Sequence, residues 1–485
     1  MSVDGATGDL KSRVLSGLFW KFSERLGVQG IQFLVQVLLA RLLFPKDYAL
    51  VALVSVVIYI SDALMWSGFN IALVQQKEVD DEDYSSVFYL GLGASLALYL
   101  LLFATAPWMA EFFSEPLLVP LMRVQSLVLI LGAFRSIQNA ILIRTMQFRK
   151  NFLVSFGGVV ASGVVGLLMA FGGFGVWSLV FSQLANGLTA AVIIWLTVAW
   201  RPTLVFSVAR VGRLFSFGWK ILCAVLLDTA YKNLWTLVIG RLFGKDLLGY
   251  YNRGDSLAYL TATSIDGTIA SVLLPALSSC QEDTVRLKGM LRRSIVTSCF
   301  LVFPAMFGLA AVAEPLIVLL LTQKWLGAVP FLQLCCLAYA FYPLHVANTQ
   351  AINAVGRSDI FLILELIKKV LGITILVLSI PFGAYWVVGS NILMSLLCVT
   401  INAWPNKKLL AYAPAEQWKD IAPSLGLALF MGGAVWSLTL TNWSHELTLA
   451  VQILVGMAFY VGGAWLLKFE CLEYLARSLR EWVAR

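Results

Sequence analysis

Fourteen stretches of about twenty mostly apolar residues follow one another along this chain, separated by short turns. They fall near 17–40, 50–76, 86–109, 119–143, 153–174, 177–199, 216–240, 248–276, 294–313, 331–354, 361–380, 384–403, 421–440 and 447–467. A helix needs roughly 20 such residues to cross the bilayer core. In lipid, every backbone polar group must be satisfied within its own segment or a closed barrel, and windows this long suit helices. The expected fold is therefore an all-α polytopic membrane protein with 14 transmembrane helices. Charged residues make up only 13% of the 485 residues, against about 25% in soluble domains. The windows leave no loop long enough for a soluble catalytic domain.

Lys and Arg placement sets the expected orientation. With the N-terminus inside, roughly twenty-one bases fall in cytoplasmic segments, among them Arg144, Arg149, Lys150, Arg210, Arg213, Lys407 and Lys408. The outer turns hold five: Arg41, Lys46, Arg241, Lys245 and Lys324. This is a strong bias by the positive-inside rule. It places both termini in the cytoplasm. It also accounts for most of the net charge of +8, so no nucleic-acid partner is needed. Met1–Leu10 is polar, and the first apolar stretch is too long for a signal peptide, so it is expected to stay as the first span. The seven cysteines have no metal-ligand spacing and read as reduced structural thiols.

An internal repeat divides the chain. Trp20-Lys21, Phe44, Lys46 and Asp47 match Trp219-Lys220, Phe243, Lys245 and Asp246 at one offset. Six helices separate the copies, so both start on the same side. That describes a parallel repeat about an axis along the membrane normal, as in transporters whose substrate sites lie between repeats. The expected organisation is a six-helix lobe at 11–200, a second at 208–405, two extra helices over 421–467 and a cytoplasmic amphipathic tail at 468–485, with basic residues toward anionic lipid.

Charges inside the windows are the functional signal, because one at the bilayer centre costs about 3 kcal/mol on insertion scales. In the first window Lys21, Arg25, Gln29, Gln32 and Gln36 recur every three or four residues and share one helical face. The basic head and amide ladder suit a water-filled wall. Lys220, Asp228 and Lys232 repeat the theme in the seventh window, where the last two are also spaced to pair. Asp255 and Asp266 share a face of the eighth, Asp62 sits mid-way along the second, and Arg135 lies inside the fourth. Glu365, Lys368 and Lys369 interrupt an Ile/Leu/Val-rich eleventh. The bases Lys21, Arg25, Arg135, Lys220, Lys232, Lys368 and Lys369 slightly outnumber the acids Glu24, Asp62, Asp228, Asp255, Asp266 and Glu365. A basic cavity suits an anionic head group such as pyrophosphate, which Arg forks and Lys point charges both bind. The acids read either as pairing partners or as proton or sodium coupling sites.

Catalytic motifs are absent: there is no Walker A loop and no HExxH, and His345 and His445 are far apart. The acidic run Asp80–Asp83 reads as a solvated turn rather than a metal site. No catalytic residue, metal or cofactor is expected beyond coupling to an ion gradient. A cation-coupled multidrug exporter would need a more acidic interior. A membrane glycosyltransferase or polymerase would need a sizeable outer loop.

Several motifs carry a family resemblance. Ala40-Arg41-Leu42-Leu43, Gly68-Phe69-Asn70 and Gln75-Gln76-Lys77-Glu78 resemble the start of Wzx-type polysaccharide flippases. Leu273-Leu274-Pro275-Ala276, Gln281-Glu282-Asp283 and Lys324-Trp325 through Pro330-Phe331-Leu332-Gln333-Leu334 resemble their second half. The order and spacing are similar to the colanic-acid-exporter branch of the multidrug/oligosaccharidyl-lipid/polysaccharide superfamily, over most of residues 12–405. The resemblance implies two six-helix lobes around a central cavity. It implies an oligosaccharide repeat unit on undecaprenyl pyrophosphate as cargo, moved by alternating access in exopolysaccharide, O-antigen or capsule synthesis. Such a protein would be expected to act as a monomer in membrane lipid, alongside a polysaccharide polymerase and a chain-length regulator.

Overall fold

The computed structural model describes residues 27–75, 79–278, 283–441 and 443–472. Among them every regular element is helical. One compact unit runs to Leu248 and a second starts at Gly249. The first contains α1 (Gln29–Leu42), α2 (Pro45–Gln75), α3 (Asp81–Phe112), α4 (Leu118–Gln125), α5 (Leu127–Arg144), α6 (Phe148–Phe171), α7 (Trp177–Thr197) and α8 (Val208–Leu242). The boundary falls in the first turn of α9 (Lys245–Ser278). The second unit continues with α10 (Thr284–Ala311), α11 (Ala313–Leu321), α12 (Val329–Tyr339), α13 (Tyr342–Ala354), α14 (Ser358–Ser379), α15 (Ala384–Leu409), α16 (Pro414–Ser437) and α17 (His445–Leu466).

Among the described residues, 11 helices are long and apolar enough to cross a membrane. Each falls on one of the expected windows. The remaining windows hold α1, α9 and α14. Of the first, α1 supplies only 14 described residues. α14 carries Glu365, Lys368 and Lys369 within about one turn, and α9 carries Arg253, Asp255 and several hydroxyls.

In the first unit, local chemistry sets the helix starts. Asp80 caps α3: its side chain accepts from the Asp83 amide, while the Asp83 carboxylate accepts from the Asp80 amide, a reciprocal capping box. The repeat-matched pairs Lys46-Asp47 and Lys245-Asp246 both lie in a first helical turn, of α2 and α9. Before them the two copies differ. Pro45 opens α2, whereas Gly244 turns into α9 at φ +95°, a conformation closed to proline. Lys46 and Lys245 both reach Glu115, at 3.2 and 3.6 Å. Close helix approaches fix the interior. A Cβ on Gly91 would lie 2.2 Å from the Trp66 ring, and one on Gly158 would lie 2.8 Å from Asn186 Oδ1. The indole of α2 therefore lies on α3, and α6 lies against α7.

The second unit is built around a continuous core that includes Phe303, Phe341, Leu344, Tyr412, Ile421 and Met431. Its largest fully buried side chains include Trp325, Tyr412, Phe303 and Phe331. Three buried carboxamides join α13, α15 and α16. Asn348 donates to Gln417 at 2.8 Å and accepts from Gln417 and Asn406 at 3.0 and 2.7 Å. The last two helices belong to this core. α16 lies along α10, where a Cβ on Gly432 would meet Phe307 at 3.4 Å, and Tyr460 of α17 donates to the Phe300 carbonyl at 2.9 Å. The described cysteines, Cys223, Cys299, Cys335, Cys336, Cys398 and Cys471, are free thiols; Cys280 lies outside the described residues.

Candidate functional site: a polar pocket in the first unit

Lys21, Glu24 and Arg25 lie outside the described residues, as does the side chain of Asp266. On α1, Gln29 and Gln32 are exposed and Gln36 is half-buried. On α8, Lys232 pairs with Asp228 one turn earlier, at 2.7 Å, while Lys220 is exposed. On α14, Lys368 pairs with Glu365 and Lys369 is half-buried. Asp255 on α9 accepts from the Tyr339 hydroxyl of α12 at 2.8 Å. Lys232 and Lys368 thus find their acids on their own helices, at spacings where such pairing is local. Two bases and two acids are thus accounted for locally, which leaves the slight surplus of base over acid as the sequence has it.

Asp62 and Arg135, by contrast, meet across helices. They line one cavity of about 470 Å³. Its walls come from four helices, each contributing residues one turn apart: Asp62 and Trp66 from α2, Arg135 and Asn139 from α5, Asn151 and Ser155 from α6, Asn186 and Ala190 from α7. Successive turns of a helix place i and i+4 on the same face, so each helix turns at least one polar side chain to the cavity. Gly132 of α5 faces α2 across this space. A Cβ there would lie 3.7 Å from Asp62 Oδ1 and 3.9 Å from Trp66 Nε1. Trp66 is only 7% exposed, and its Nε1 has no hydrogen-bond partner among the described residues. Buried polar groups are nearly always bonded, so such an exception asks for an explanation.

A second charged cluster holds the segment between α7 and α8. Ser85 contacts the Thr203 hydroxyl at 3.0 Å and accepts from the Thr203 amide at 3.1 Å; Ser86 accepts from the Ser207 amide at 3.0 Å. At the start of α8, Arg210 pairs with Asp80, Glu82 and Asp83 at 2.5, 2.8 and 3.2 Å. Arg213 reaches Asp83 at 2.9 Å. The acidic run is thus a helix cap and an ion-pair partner at once. The Arg210 guanidinium, helped by the Asp83 amide, holds the Asp80 carboxyl down at about 2.

Spacing alone reveals the polar stripe on α1 and the charges on α8 and α14. It does not single out Trp66, Asn139, Asn151, Ser155 or Asn186. A signal exists in the i, i+4 pairs Asp62–Trp66, Arg135–Asn139 and Asn151–Ser155, but only the contact between helices shows that they share one space. Among the described residues, no cluster of His, Cys, Asp or Glu could hold a metal ion.

Residues 38–330 match the family model described as polysaccharide biosynthesis protein. The succinoglycan biosynthesis transport protein ExoT of Rhizobium meliloti (strain 1021) is 28% identical over 319 residues, covering 66% of this chain and 65% of that protein. The lipopolysaccharide biosynthesis protein WzxC of Escherichia coli (strain K12) is 22% identical over 413 residues, covering 78% and 83%. The lipid II flippase MurJ, solved in an inward closed conformation, shares the fold with a TM-score of 0.77 at 15% identity, over 93% of this chain and 98% of that one.

Proposed function

Because this chain belongs to the polysaccharide biosynthesis protein family, we propose that it is a flippase for lipid-linked oligosaccharides. It turns a repeat unit on undecaprenyl pyrophosphate from the inner to the outer leaflet of the bacterial inner membrane. The family match and the export-related names of its relatives carry this reading. They also weigh against a drug exporter of the same superfamily and against a glycosyltransferase or polymerase.

Physical chemistry gives the task its shape. A pyrophosphate carries charges whose transfer from water to an apolar medium costs tens of kcal/mol. The sugars carry hydroxyls that each lose hydrogen bonds to water. A carrier must replace both by polar groups inside an all-helical body. In this reading Lys21, Arg25, Lys220, Lys232, Lys368 and Lys369 supply cationic contacts to the pyrophosphate, Arg135 stands in the polar pocket with Asp62, and Gln29, Gln32 and Gln36 line the way. Asp228 and Glu365 keep Lys232 and Lys368 neutral in pairs until the anion competes for them. Glu24, Asp62, Asp255 and Asp266 are the remaining acids for coupling to a proton or sodium gradient. Fourteen spans, in two six-helix lobes that rock about the cargo and two further helices, and cytoplasmic termini complete the proposal. A polymerase and chain-length regulator would act on the delivered units.

The deciding experiment uses purified full-length protein in liposomes holding a fluorescent undecaprenyl-pyrophosphate-linked oligosaccharide. Exposure of the label to an external quencher is followed with time. Faster exposure than in protein-free liposomes, slowed by Lys21→Ala with Arg25→Ala, is the expected result. No acceleration by the wild type, with transport of a cationic dye instead, would remove the flippase reading.

A further inference from the structure

The pocket between α2, α5, α6 and α7 is unlike a site for an ion. It holds one carboxylate, Asp62, and one guanidinium, Arg135, so its formal charge is zero. Asp62 would repel a phosphate and Arg135 would repel a bare cation. Around them stand the carboxamides of Asn139, Asn151 and Asn186 and the indole of Trp66. The indole N–H of Trp66, a residue lining the space, has no protein acceptor among the described residues. This buried group signals a missing partner most directly, since an unmet buried donor is costly.

We propose that this pocket takes one hexopyranose ring of a neutral or weakly charged sugar. Hydroxyls both donate and accept. They alone suit a wall where carboxylate and carboxamide oxygens alternate with indole, amide and guanidinium donors. The 470 Å³ volume lies in the usual range of about 300–1,000 Å³ for small-molecule sites. Asp62 Oδ1 and Trp66 Nε1 lie 3.7 and 3.9 Å from one common point, the Cβ position of Gly132. An acceptor and a donor thus converge on the wall of the pocket that Gly132 forms. The pocket also opens near the right end of the bundle. Asn139 is five residues before the end of α5 and Asn151 three residues into α6. At about 1.5 Å per residue, both lie within two turns of the end that the positive-inside rule puts in the cytoplasm. A sugar bound there would come from the leaflet where the carrier is loaded.

That the ring belongs to the repeat unit rests on the flippase reading; the pocket's preference for a hydroxylated ring does not. The test uses full-length protein in nanodiscs and saturation-transfer NMR with methyl glucoside, methyl galactoside and methyl mannoside. At least one should bind, and binding should fall about tenfold or more in each of Gly132→Ala and Asn139→Ala. The added methyl of Gly132→Ala meets Asp62 and Trp66 only at ordinary contact distance, so the variant fills the shared point without forcing the helices apart. Inorganic pyrophosphate at equal concentration should not displace the sugar. Absence of binding by all three sugars overturns the proposal, as does equal binding by wild type and both variants, or displacement by pyrophosphate. The liposome assay separates the two readings. If the wild type flips its cargo and both pocket variants flip it at the same rate, the pocket claim falls and the flippase stands. If the sugar binds but the wild type flips nothing, the pocket claim stands without the flippase.

Discussion

Asp83 offers the sharpest test of how the segment leading into α8 is held. Its carboxylate is only 2% exposed and meets Arg213 at 2.9 Å; it also accepts from the Asp80 amide as half of the capping box at the start of α3. Two unit charges this close attract by about 5–6 kcal/mol at an effective dielectric of 20. Arg213 is 56% exposed, so solvent screening and side-chain entropy reduce the net value to about 1 kcal/mol. Loss of the capping contact adds about 1 kcal/mol. Asp83→Ala should therefore loosen the α7–α8 segment by about 2 kcal/mol, while Arg210 keeps Asp80 and Glu82. Trypsin reports the change, because Arg210 and Arg213 lie beside the segment, whereas the Arg201–Pro202 bond is not a trypsin site. When opening is fast, cleavage tracks the open population, and about 2 kcal/mol corresponds to about 30-fold faster cutting there. Asp81→Ala is the control, since Asp81 is exposed and takes no part in these pairs. Raising salt from about 50 to 500 mM should speed cleavage of the wild type more than of Asp83→Ala, because screening weakens partly exposed pairs. Cleavage of Asp83→Ala within twofold of wild type would refute the account.

Asp80 should titrate near 2 rather than at 3.8. Its contribution to stability is then present above 3.8 and lost as pH falls toward 2. Arg210→Ala should return the midpoint upward, as read from the carboxyl 13C shift; an unchanged midpoint would contradict the assigned cause. Asn348→Ala should destabilise the second unit by about 2–4 kcal/mol, since it strips partners from two buried carboxamides. In a double-mutant cycle with Gln417→Ala the coupling should be about 1 kcal/mol, and strictly additive losses would count against the network. Gly158→Ala places a Cβ 2.8 Å from Asn186 Oδ1 and 3.2 Å from the Asn186 carbonyl. It should cost about 1–3 kcal/mol by overpacking, visible as a lower thermal midpoint in detergent, and an unchanged midpoint would mean α6 and α7 are not in close contact there.

Much of this protein is legible in its amino-acid sequence. Runs of twenty apolar residues dictate helices, because lipid offers the backbone no other partner. The repeat of Lys46-Asp47 at Lys245-Asp246 is legible too, whereas Asp80–Asp83, read as a solvated turn, proves to be a helix cap with Asp83 buried. The pairs Asp228–Lys232 and Glu365–Lys368 are also within reach, since both partners sit on one helix and its period fixes their distance. What joins different helices is not within reach. Nothing in the spacing of Asp62 on α2 says that it shares a pocket with Arg135 on α5, or that Trp66 lines the same space while its ring lies on Gly91. The buried amides Asn348, Asn406 and Gln417, far apart in the chain, meet only in the fold. Helical periodicity tells which face a residue occupies, a property of one segment. Which faces meet depends on the packing of several helices at once, through small residues such as Gly91, Gly132 and Gly158. That packing brings Asp62, Arg135 and Trp66 to one polar pocket and Arg213 to Asp83.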